Sequence, residues 1–258
     1  MKYPKISVVI PSFNKVKFIK KTLDSILDQK YSNLEVIIQD GGSTDGTLEI
    51  LKSYHKKYEK IIKLESKKDN GQLDAINTGL KKATGEILTY INADDVYENK
   101  AFETVSGYFL ENPNNLWFAG KGIVIDENGI EIAKIATWYK NLLFFINSRL
   151  FLLITNYLMQ PSVFITRKAY KKYGQFTGTT NFIMEYEMWL RLAKLKMPCL
   201  INKNLSKFRL EANTKTKQMS EKLLDEDENI IKKFTNNIII LTLHKLHNLV
   251  RLMFSNFV

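Results

Sequence analysis

The stretch Glu86-Ile87-Leu88-Thr89-Tyr90-Ile91-Asn92-Ala93-Asp94-Asp95 joins an apolar run to two adjacent carboxylates. An apolar run of this length is typical of a buried strand, and an open α/β sheet binds its ligands just beyond the carboxyl ends of its strands. Paired carboxylates at such a place suit Mg²⁺ or Mn²⁺, held together with substrate phosphates. An isolated Asp-Asp pair would rather indicate a cap for the helix that begins near Asn99, so the interpretation depends on the rest of the chain.

Toward the amino terminus, strand-like apolar runs alternate with segments whose apolar residues have helical spacing. This alternation predicts a parallel sheet. The strand-like runs are residues 5–10, 34–39 and 61–64, and the helix-like segments are residues 16–29, 48–55 and the one that ends near Gly85.

The loops that follow these strands carry carboxylates. Asp40 follows the second strand, Asp69 and Asp74 follow the third, and Asp94 and Asp95 follow the fourth. Because the carboxyl ends of parallel strands lie along one edge of a sheet, we expect these side chains to converge on a nucleotide site.

After Pro113 the alternation stops. Residues 116–119, 122–126 and 130–135 have the pattern of strands, and Glu127-Asn128-Gly129 between the last two indicates a hairpin. The sequence therefore predicts that antiparallel strands extend the parallel sheet.

Composition limits the class of protein. The 258 residues include 45% hydrophobic and 12% aromatic side chains, which is typical of a folded chain. The single cysteine, Cys199, excludes an internal disulfide, and no signal-peptide core precedes the first strand. We therefore expect a location on the cytoplasmic side.

The net charge of +11 is concentrated in two stretches. Residues 132–184 contain seven basic and no acidic side chains, and residues 229–258 contain four basic and none acidic. Both stretches are also rich in large apolar residues. This mixture suggests an anionic membrane surface rather than a nucleic-acid groove, but two helices that pack on the core and keep a solvated basic face explain it equally well.

Two segments within these stretches are candidates for membrane contact. Residues 138–159 contain apolar runs that are too short to span a bilayer, so they predict either a helix pair lying on the membrane or one wall of an acceptor cleft. The last segment predicts a helix with one apolar stripe, made by Ile239, Leu243, Leu246, Val250, Met253 and Phe257. The acidic residues 225–228 are expected to lie at a helix amino terminus.

The motifs, in their order and spacing, are together specific although each alone is weak. The chain resembles the family 2 glycosyltransferases of the GT-A fold, and among them the bacterial enzymes that build surface polysaccharides. The resemblance covers roughly residues 5–216. It is carried by VIPSFN at 9–14, QDGGSTDGT at 39–47, DNGQLDAINTG at 69–79, ATGE at 83–86, NADD at 92–95, QPSVF at 160–164, MEYEMWLRLA at 184–193 and FRL at 208–210.

The resemblance implies an α/β fold of the GT-A type, with a Rossmann-like, mostly parallel mixed sheet flanked by helices. It implies a GT-A domain at residues 1–216, in which residues 1–112 bind the nucleotide-sugar and residues 113–216 bind the acceptor. Residues 217–258 would form a basic amphipathic helical tail.

The resemblance also implies the donor and metal residues. The first loop and the aspartate after the second strand would hold the nucleoside, and the residues of the third motif would lie near the nucleotide. Asp94 would contact the ribose or the sugar, and Asp95, with Asp94 beside it, would bind Mg²⁺ or Mn²⁺. The implied donor-binding residues are Pro11, Ser12, Phe13, Asn14, Asp40, Asp69, Gly71, Asp74, Asp94 and Arg209.

The implied general base is Glu185, at the start of the 184–193 helix. Relatives commonly have Asp at this position, so the carboxylate here is one methylene longer. Glu187 is the second choice for the base. Two other positions depart from the family pattern: Thr78 stands where relatives usually have a lysine, and Glu211 stands where they often have a histidine. The resemblance then leaves Arg209, with Lys215 or Lys217, to bind the diphosphate.

Taken together, these features predict a metal-dependent inverting glycosyltransferase. Its donor would be a nucleotide-diphospho-sugar, most plausibly a UDP-sugar, and its acceptor a lipid-linked glycan at the inner face of the plasma membrane, where the protein would be peripheral. Two alternatives remain at this point: a metal-dependent nucleotidyltransferase, and a non-catalytic basic membrane-binding module with a vestigial nucleotide site.

Overall fold

The computed structural model describes residues 3–178, 183–210 and 221–255. Helices and strands alternate through the first half of the chain, as the sequence predicts. The strands are β1 (Ile6–Ser12), β2 (Leu34–Asp40), β3 (Ile62–Ser66), β4 (Ile87–Tyr90), β5 (Val96–Tyr97), β6 (Trp117–Ile125), β7 (Glu131–Ile132), β8 (Val163–Thr166) and β9 (Cys199–Arg209). The helices are α1 (Ile19–Leu27), α2 (Thr47–Lys57), α3 (Gln72–Lys82), α4 (Ala101–Glu111), α5 (Lys134–Ile146), α6 (Arg149–Ile154), α7 (Arg167–Tyr173), α8 (Met184–Ala193), α9 (Glu221–Lys232) and α10 (Ile238–Ser255).

Within the described residues the strands form one mixed sheet. Its order is β3-β2-β1-β4-β8-β6-β9-β5, with β7 paired to β6. The first four strands in this order are parallel, whereas β8 is antiparallel to both of its neighbours, β4 and β6. The predicted parallel sheet and its antiparallel extension through β8 and β7 are therefore confirmed, whereas β9 pairs with β6 in the parallel direction.

The extension differs from the sequence prediction in two places. Residues 116–119 and 122–126 fall largely within one strand, β6. Between Gly120 and Gly122 the register against β9 shifts, with the extra residues on β9, and neither strand ends there. The strand predicted at 130–135 is wrong beyond Ile132. There Ala133 has a left-handed φ of 52°, which ends the strand, and α5 begins at the next residue.

The core lies on both faces of the sheet. Strand β1 shows the two-residue period, since Ile6, Val8 and Ile10 point to one face and Val9 points to the other. Helices α1, α2 and α4 cover the first face, and α3, α6, α8 and α9 cover the second. On the second face Gly79 lets α3 approach β1 closely, because a Cβ there would lie 2.4 Å from Val9.

The basic, apolar second half forms helices. Residues 138–159 include most of α5 and all of α6, so two helices are present, while contact with a membrane or with an acceptor stays a prediction. The helices are parted at Asn147 (φ 44°) and Ser148, whose Oγ accepts from the Leu150 N–H at 3.2 Å. The acidic residues 225–228 lie inside α9 and not at the start of a helix, so that prediction is wrong. Among the described helices, none combines the length and the apolar composition needed to cross a bilayer.

Candidate active site

Asp40 organises the loop at the end of β2. Its carboxylate accepts from the N–H groups of Gly42 and Ser43 at 3.2 and 3.0 Å, from Ser43 Oγ at 2.5 Å and from Ser66 Oγ at 2.7 Å. Two carboxylate oxygens offer about four acceptor positions, and Asp40 is only 2% exposed. Its predicted contact with a nucleoside would thus replace one of these four hydrogen bonds.

The loop after β1 is fastened to the loop after β2. Ser12 and Asp40 are register partners. Asn14 has a left-handed φ of 51°, its N–H donates to Ser43 Oγ, and its Oδ1 accepts from the Thr44 N–H, both at 2.9 Å. This arrangement leaves the ring of Phe13 59% exposed at the carboxyl edge of the sheet, whereas Pro11 and Ser12 are buried beneath it. Phe13 thus offers a flat apolar face for a planar ligand.

The loop between β3 and α3 contacts the loop after β2. Asp69 Oδ1 accepts from the Gly71 N–H at 2.8 Å, and Asp74 Oδ2 accepts from the Asn70 N–H at 3.1 Å, so the two carboxylates shape the turn that starts α3. A Cβ on Gly41 would lie 3.0 Å from Asp69 Oδ2. The loops after β2 and β3 therefore meet, as the sequence predicts for the edge of a parallel sheet.

Asp94 and Asp95 have different surroundings although they are neighbours. Asp95 is fully buried, and its two oxygens accept from the Arg209 N–H at 2.8 Å and from Asn92 Nδ2 at 3.2 Å. The side chain of Asp94 keeps 12% exposure and pairs with Lys15 Nζ at 2.6 Å. Burial, and then the charge of Asp94, raise the pKa of Asp95 well above its ordinary value. Two negative charges are therefore disfavoured here, and a bound cation would favour the ionised form of both carboxylates.

The carboxylate pair fits a divalent cation of the kind that nucleotide enzymes use. In the part of the chain that the structure describes, no group of three or more His, Cys, Asp or Glu side chains could hold a metal alone. Mg²⁺ is commonly held by one or two carboxylates together with substrate phosphates. Two adjacent carboxylates, one of them partly exposed, are therefore a sufficient protein contribution.

Arg209 hydrogen-bonds to the backbone beside the carboxylate pair. Its guanidinium donates from Nε to the Asp94 carbonyl oxygen at 2.8 Å, and from Nη1 to the carbonyl oxygens of Asp126 and Glu127 at 2.7 and 3.1 Å. It also lies 4.9 Å from the ring centroid of Phe18 and is only 3% exposed. In this structure Arg209 fixes the backbone of the site, and its predicted contact with a diphosphate would require some of these bonds to break. Lys215 and Lys217 lie outside the described residues.

Glu185 lies at the start of α8, which is held rigidly. The indole rings of Trp117 and Trp189 stack at 5.6 Å, and Tyr186 Oη donates to the Leu152 carbonyl oxygen at 2.6 Å. Burial raises the pKa of Glu185 to about 7, because it outweighs the lowering effects of a hydrogen bond from the residue's own backbone N–H and of the charge of Lys140, while Asp227 adds to the rise. A carboxylate with this pKa can take up a proton near neutral pH.

The phenol of Tyr90 is influenced by both Glu185 and Asp95. The residue is 4% exposed at the end of β4. Burial, then Glu185, then Asp95 raise the pKa of its phenol well above the usual value. Glu185 and Asp95 therefore both lie within electrostatic range of the Tyr90 phenol.

Glu187 is less suited to act as a base. Its carboxylate pairs with the guanidinium of Arg191, one turn further along α8. Arg191 also donates to the carbonyl oxygens of Tyr173 and Gln175. Arg191, which pairs with Glu187, therefore fastens the end of α7 and the segment after it to α8.

Sequence reasoning did not single out Lys15, Tyr90 or Lys140. Lys15 directly follows the VIPSFN motif, and this position was the available signal for a basic side chain near the first loop. Lys140 lies 45 residues before Glu185, so only the fold brings it within electrostatic range.

Comparison with known proteins agrees with this architecture. The family model described as glycosyl transferase family 2 matches residues 7–174. EpsE of Bacillus subtilis (strain 168), which is named as a glycosyltransferase, is 37% identical over 134 residues, 51% of this chain and 48% of EpsE. TuaG of the same organism, named as a teichuronic acid biosynthesis glycosyltransferase, is 32% identical over 124 residues, 48% of this chain and 49% of TuaG. The matched part spans about half the length of these relatives.

Two solved structures are similar over nearly the whole chain. TarS 1-349 of S. aureus, in complex with UDP-GlcNAc, has a TM-score of 0.69 at 18% identity and covers 98% of this chain and 72% of its own. The mannosyltransferase PcManGT from Pyrobaculum calidifontis, in complex with GDP-Man and Mn²⁺, has a TM-score of 0.70 at 17% identity and covers 99% and 74%.

The fold is therefore GT-A, as the sequence predicts, with a mixed sheet between helices and a helical carboxyl-terminal segment. The family model matches more than half of the chain. The chain belongs to glycosyl transferase family 2.

Proposed function

We propose that the protein is a metal-dependent, inverting glycosyltransferase that takes a sugar from a nucleotide-diphospho-sugar. One observation carries this proposal: Glu185, whose pKa is raised to about 7, and Asp95 of the carboxylate pair both lie within electrostatic range of Tyr90 at the end of β4. In this proposal Glu185 is the proton acceptor, and the carboxylate pair is the site of the cation and the diphosphate. This is the arrangement that a single displacement at an anomeric carbon requires.

The donor is proposed to be a UDP-sugar, bound by residues 1–112. The exposed face of Phe13 would stack on the base, and the loops that contain Asp40, Asp69 and Asp74 would surround the nucleoside and the phosphates. The amino terminus of α3, just after Gly71, supplies backbone N–H groups that favour an anion. In support, the structural neighbours were solved with UDP-GlcNAc and with GDP-Man.

Asp94 is the proposed first contact of the cation, because it is the partly exposed member of the pair. Asp95 would hold the loop in place through its hydrogen bonds with Arg209 and Asn92, and its charge would add to that of Asp94. When bound, Mg²⁺ or Mn²⁺ would stabilise the negative charge of the departing nucleoside diphosphate. Lys15, which pairs with Asp94 in this structure, lies where it can share that charge.

Glu185 is the proposed general base. Its carboxylate takes the proton from an acceptor hydroxyl while that oxygen forms a bond to the anomeric carbon and the bond to the diphosphate breaks. The configuration at the anomeric carbon inverts, because the acceptor and the leaving group occupy opposite sides. The elevated pKa matches this role, since a base with a pKa near the working pH is the most effective.

The acceptor is proposed to be a lipid-linked glycan of a cell-surface polysaccharide, bound by residues 113–216 on the cytoplasmic side. The support is the name of the relative TuaG, which refers to teichuronic acid biosynthesis. The acceptor half is also the half that carries the basic, apolar helices α5 and α6.

To test the proposal, the melting temperature of the purified protein is measured with UDP, GDP, CDP, ADP and the corresponding triphosphates, each with Mn²⁺ and then with a chelator. A ligand at 100 times its dissociation constant stabilises the folded state by about 2.7 kcal/mol. We expect a shift with UDP that the chelator removes. No shift with any nucleotide would contradict the proposal, and a Mn²⁺-dependent shift with a nucleoside triphosphate alone would favour the nucleotidyltransferase.

A further inference from the structure

Helix α10 packs on the protein through His244 and Asn248, with Ile240 and Leu241 partly buried against the core, and turns a row of large apolar side chains outward. His244 and Asn248 are 1% and 2% exposed. His244 Nδ1 lies 2.9 Å from the Ile154 carbonyl oxygen, and Asn248 Nδ2 donates to Asp227 Oδ2 at 3.0 Å. The outward side carries Ile239 (67% exposed), Leu243 (43%), Leu246 (53%), Leu249 (42%) and Val250 (49%). A helix with this orientation has its apolar stripe turned away from the core it packs on.

Helix α5 adds a second exposed apolar row. Its outward residues follow the helical spacing i, i+3, i+7 and i+10. They are Ile135 (84% exposed), Trp138 (66%), Leu142 (49%) and Phe145 (55%). The rings of Tyr139 on α5 and His247 on α10 stack at 5.9 Å, so the two helices are in contact. We call these nine outward residues of α5 and α10 the outer apolar surface.

Basic side chains accompany this surface. Lys134 is exposed beside Ile135, Lys245 is exposed beside Leu246, and Lys121 Nζ lies 5.7 Å from the centroid of the Phe145 ring. Residues 132–178 and 229–255 contain no Asp or Glu. The surface therefore combines large apolar side chains, an exposed tryptophan and basic side chains, and the two segments that form it contain no acidic residue. This composition matches the boundary between lipid headgroups and acyl chains.

A second copy of the chain is a less suitable occupant. Two identical surfaces related by a two-fold axis would place the same lysines against each other. With no acidic residue in either segment, those charges would gain no partner from the copy's own two segments. An anionic lipid surface instead supplies both the apolar layer and the opposite charge.

We propose that the outer apolar surface docks the protein on an anionic bilayer. The surface lies next to the candidate base, because Lys140 of α5 acts on Glu185 and the ring of Tyr186 stacks on His244 of α10 at 6.4 Å. Docking thus places the Glu185 end of the site near the lipid. This inference deepens the proposed function, since it gives the location from which a lipid-linked acceptor would enter, but vesicle binding can be measured without any transfer reaction.

The test uses Trp138 as a built-in reporter. The chain has three tryptophans, and Trp117 and Trp189 are 0% and 2% exposed. We expect vesicles of phosphatidylglycerol and phosphatidylcholine to shift the fluorescence of Trp138 to shorter wavelength, and brominated lipid to quench it. Vesicles of phosphatidylcholine alone should give a severalfold weaker response, because each lysine near an anionic surface contributes to binding. The Trp138→Phe variant should lose the response.

Flotation with the same vesicles measures binding directly. Leu243→Glu combined with Leu246→Glu should lower partitioning by about a hundredfold, since each leucine that enters lipid contributes roughly a factor of ten. The matched control combines Leu110→Glu and Leu195→Glu, which are 45% and 52% exposed elsewhere, and should bind like the unmodified protein. Lys134→Gln with Lys245→Gln should bind severalfold more weakly and remain folded.

Three results would overturn the inference. They are no binding of the unmodified protein to anionic vesicles, equal loss of binding in the test and control variants, and a dimer in sedimentation velocity that Leu243→Glu with Leu246→Glu abolishes. The last result would assign the surface to a second copy. UDP-dependent stabilisation, measured on every variant, separates failure of docking from failure of the proposed donor site.

Discussion

The pKa of Glu185 makes a prediction that can be measured without any substrate. The value rises from 4.5 to about 7 on folding, mainly through burial. Since the folded state favours the neutral carboxyl, Glu185 adds stability below pH 4.5 that is lost as the pH rises to about 7 and stays lost above it. At about 1.4 kcal/mol for each pH unit, the loss amounts to about 3 kcal/mol.

The Glu185→Gln variant keeps the shape of the side chain and removes its ionisation. We therefore expect the variant and the unmodified protein to have similar free energies of unfolding near pH 4.5, and the variant to be about 3 kcal/mol more stable at pH 8. For a protein of this size such a difference is worth roughly 6 to 12 °C in melting temperature. Urea denaturation at half-unit steps between pH 4.5 and 8.5 measures it.

Glu187→Gln is the matched control, two residues along the same helix. It removes the ion pair with Arg191 and should destabilise the protein, which is the opposite sign. A constant stability difference between Glu185→Gln and the unmodified protein across this pH range would refute the argument, because ionisation of Glu185 would then not lower the free energy of unfolding.

The same ionisation predicts the pH dependence of transfer. A base must be deprotonated, so kcat/KM should rise with pH through about 7 and then level off. The Glu185→Gln variant should lose a factor of roughly 10² to 10⁴ in rate, the usual contribution of a positioned base, while its affinity for UDP stays unchanged. Loss of UDP affinity would instead place Glu185 in the donor site.

Four further variants test other parts of the site and the fold. Phe13→Ala should weaken UDP binding by about tenfold in titration calorimetry, because a base stacked on an aromatic ring gains roughly 1–3 kcal/mol, with no change in melting temperature. Asp94→Asn should abolish the Mn²⁺-dependent part of the stabilisation by UDP; a persistent Mn²⁺ effect would require another metal site. Burial opposes ionisation of Glu35, but hydrogen bonds led by that from Lys63 outweigh it and lower the pKa of Glu35 to about 2. The unmodified protein should thus lose about 3 kcal/mol of stability between pH 4.5 and 2, a loss that Glu35→Gln should not show in urea titrations. Arg209→Lys should lower the free energy of unfolding by about 2–4 kcal/mol through lost hydrogen bonds to backbone carbonyls, which thermal denaturation would measure.

The parallel half of the fold could be predicted because its signals are local. Apolar runs, turn residues and helical spacing all lie within about 20 residues of one another, and the order of the elements then determines a parallel sheet. The convergence of the loops that contain Asp40 and Asp69 follows from this topology alone. The family motifs added the candidate roles of the residues, which periodicity cannot supply.

The extension of the sheet beyond β4 was predicted less completely, because its pairing is not local. Strand β9 pairs in the parallel direction with β6, more than 70 residues earlier in the chain, and extra residues in β9 opposite Gly120 to Gly122 let one long strand follow the other. No property of the residues 199–209 taken alone indicates that Arg209 will reach the backbone of Asp94. The difference between the buried Asp95 and the partly exposed Asp94 comes from this long-range contact, since Arg209 and Asn92 together enclose only one of two adjacent carboxylates.

Helix α10 shows why a hydrophobic period cannot say which environment an apolar stripe faces. The spacing of Leu243, Leu246 and Val250 predicts one apolar side, and in most surface helices that side would pack on the core. Here His244 and Asn248, on the other side, find buried partners in Ile154 and Asp227, and a buried polar group that is satisfied costs little. The partner Asp227 lies on α9, in a cluster that the sequence assigned to a helix terminus. These hydrogen bonds and the packing of Ile240 and Leu241 on the core hold α10 with its apolar stripe outward, and the partners of His244 and Asn248 lie on other elements of the chain.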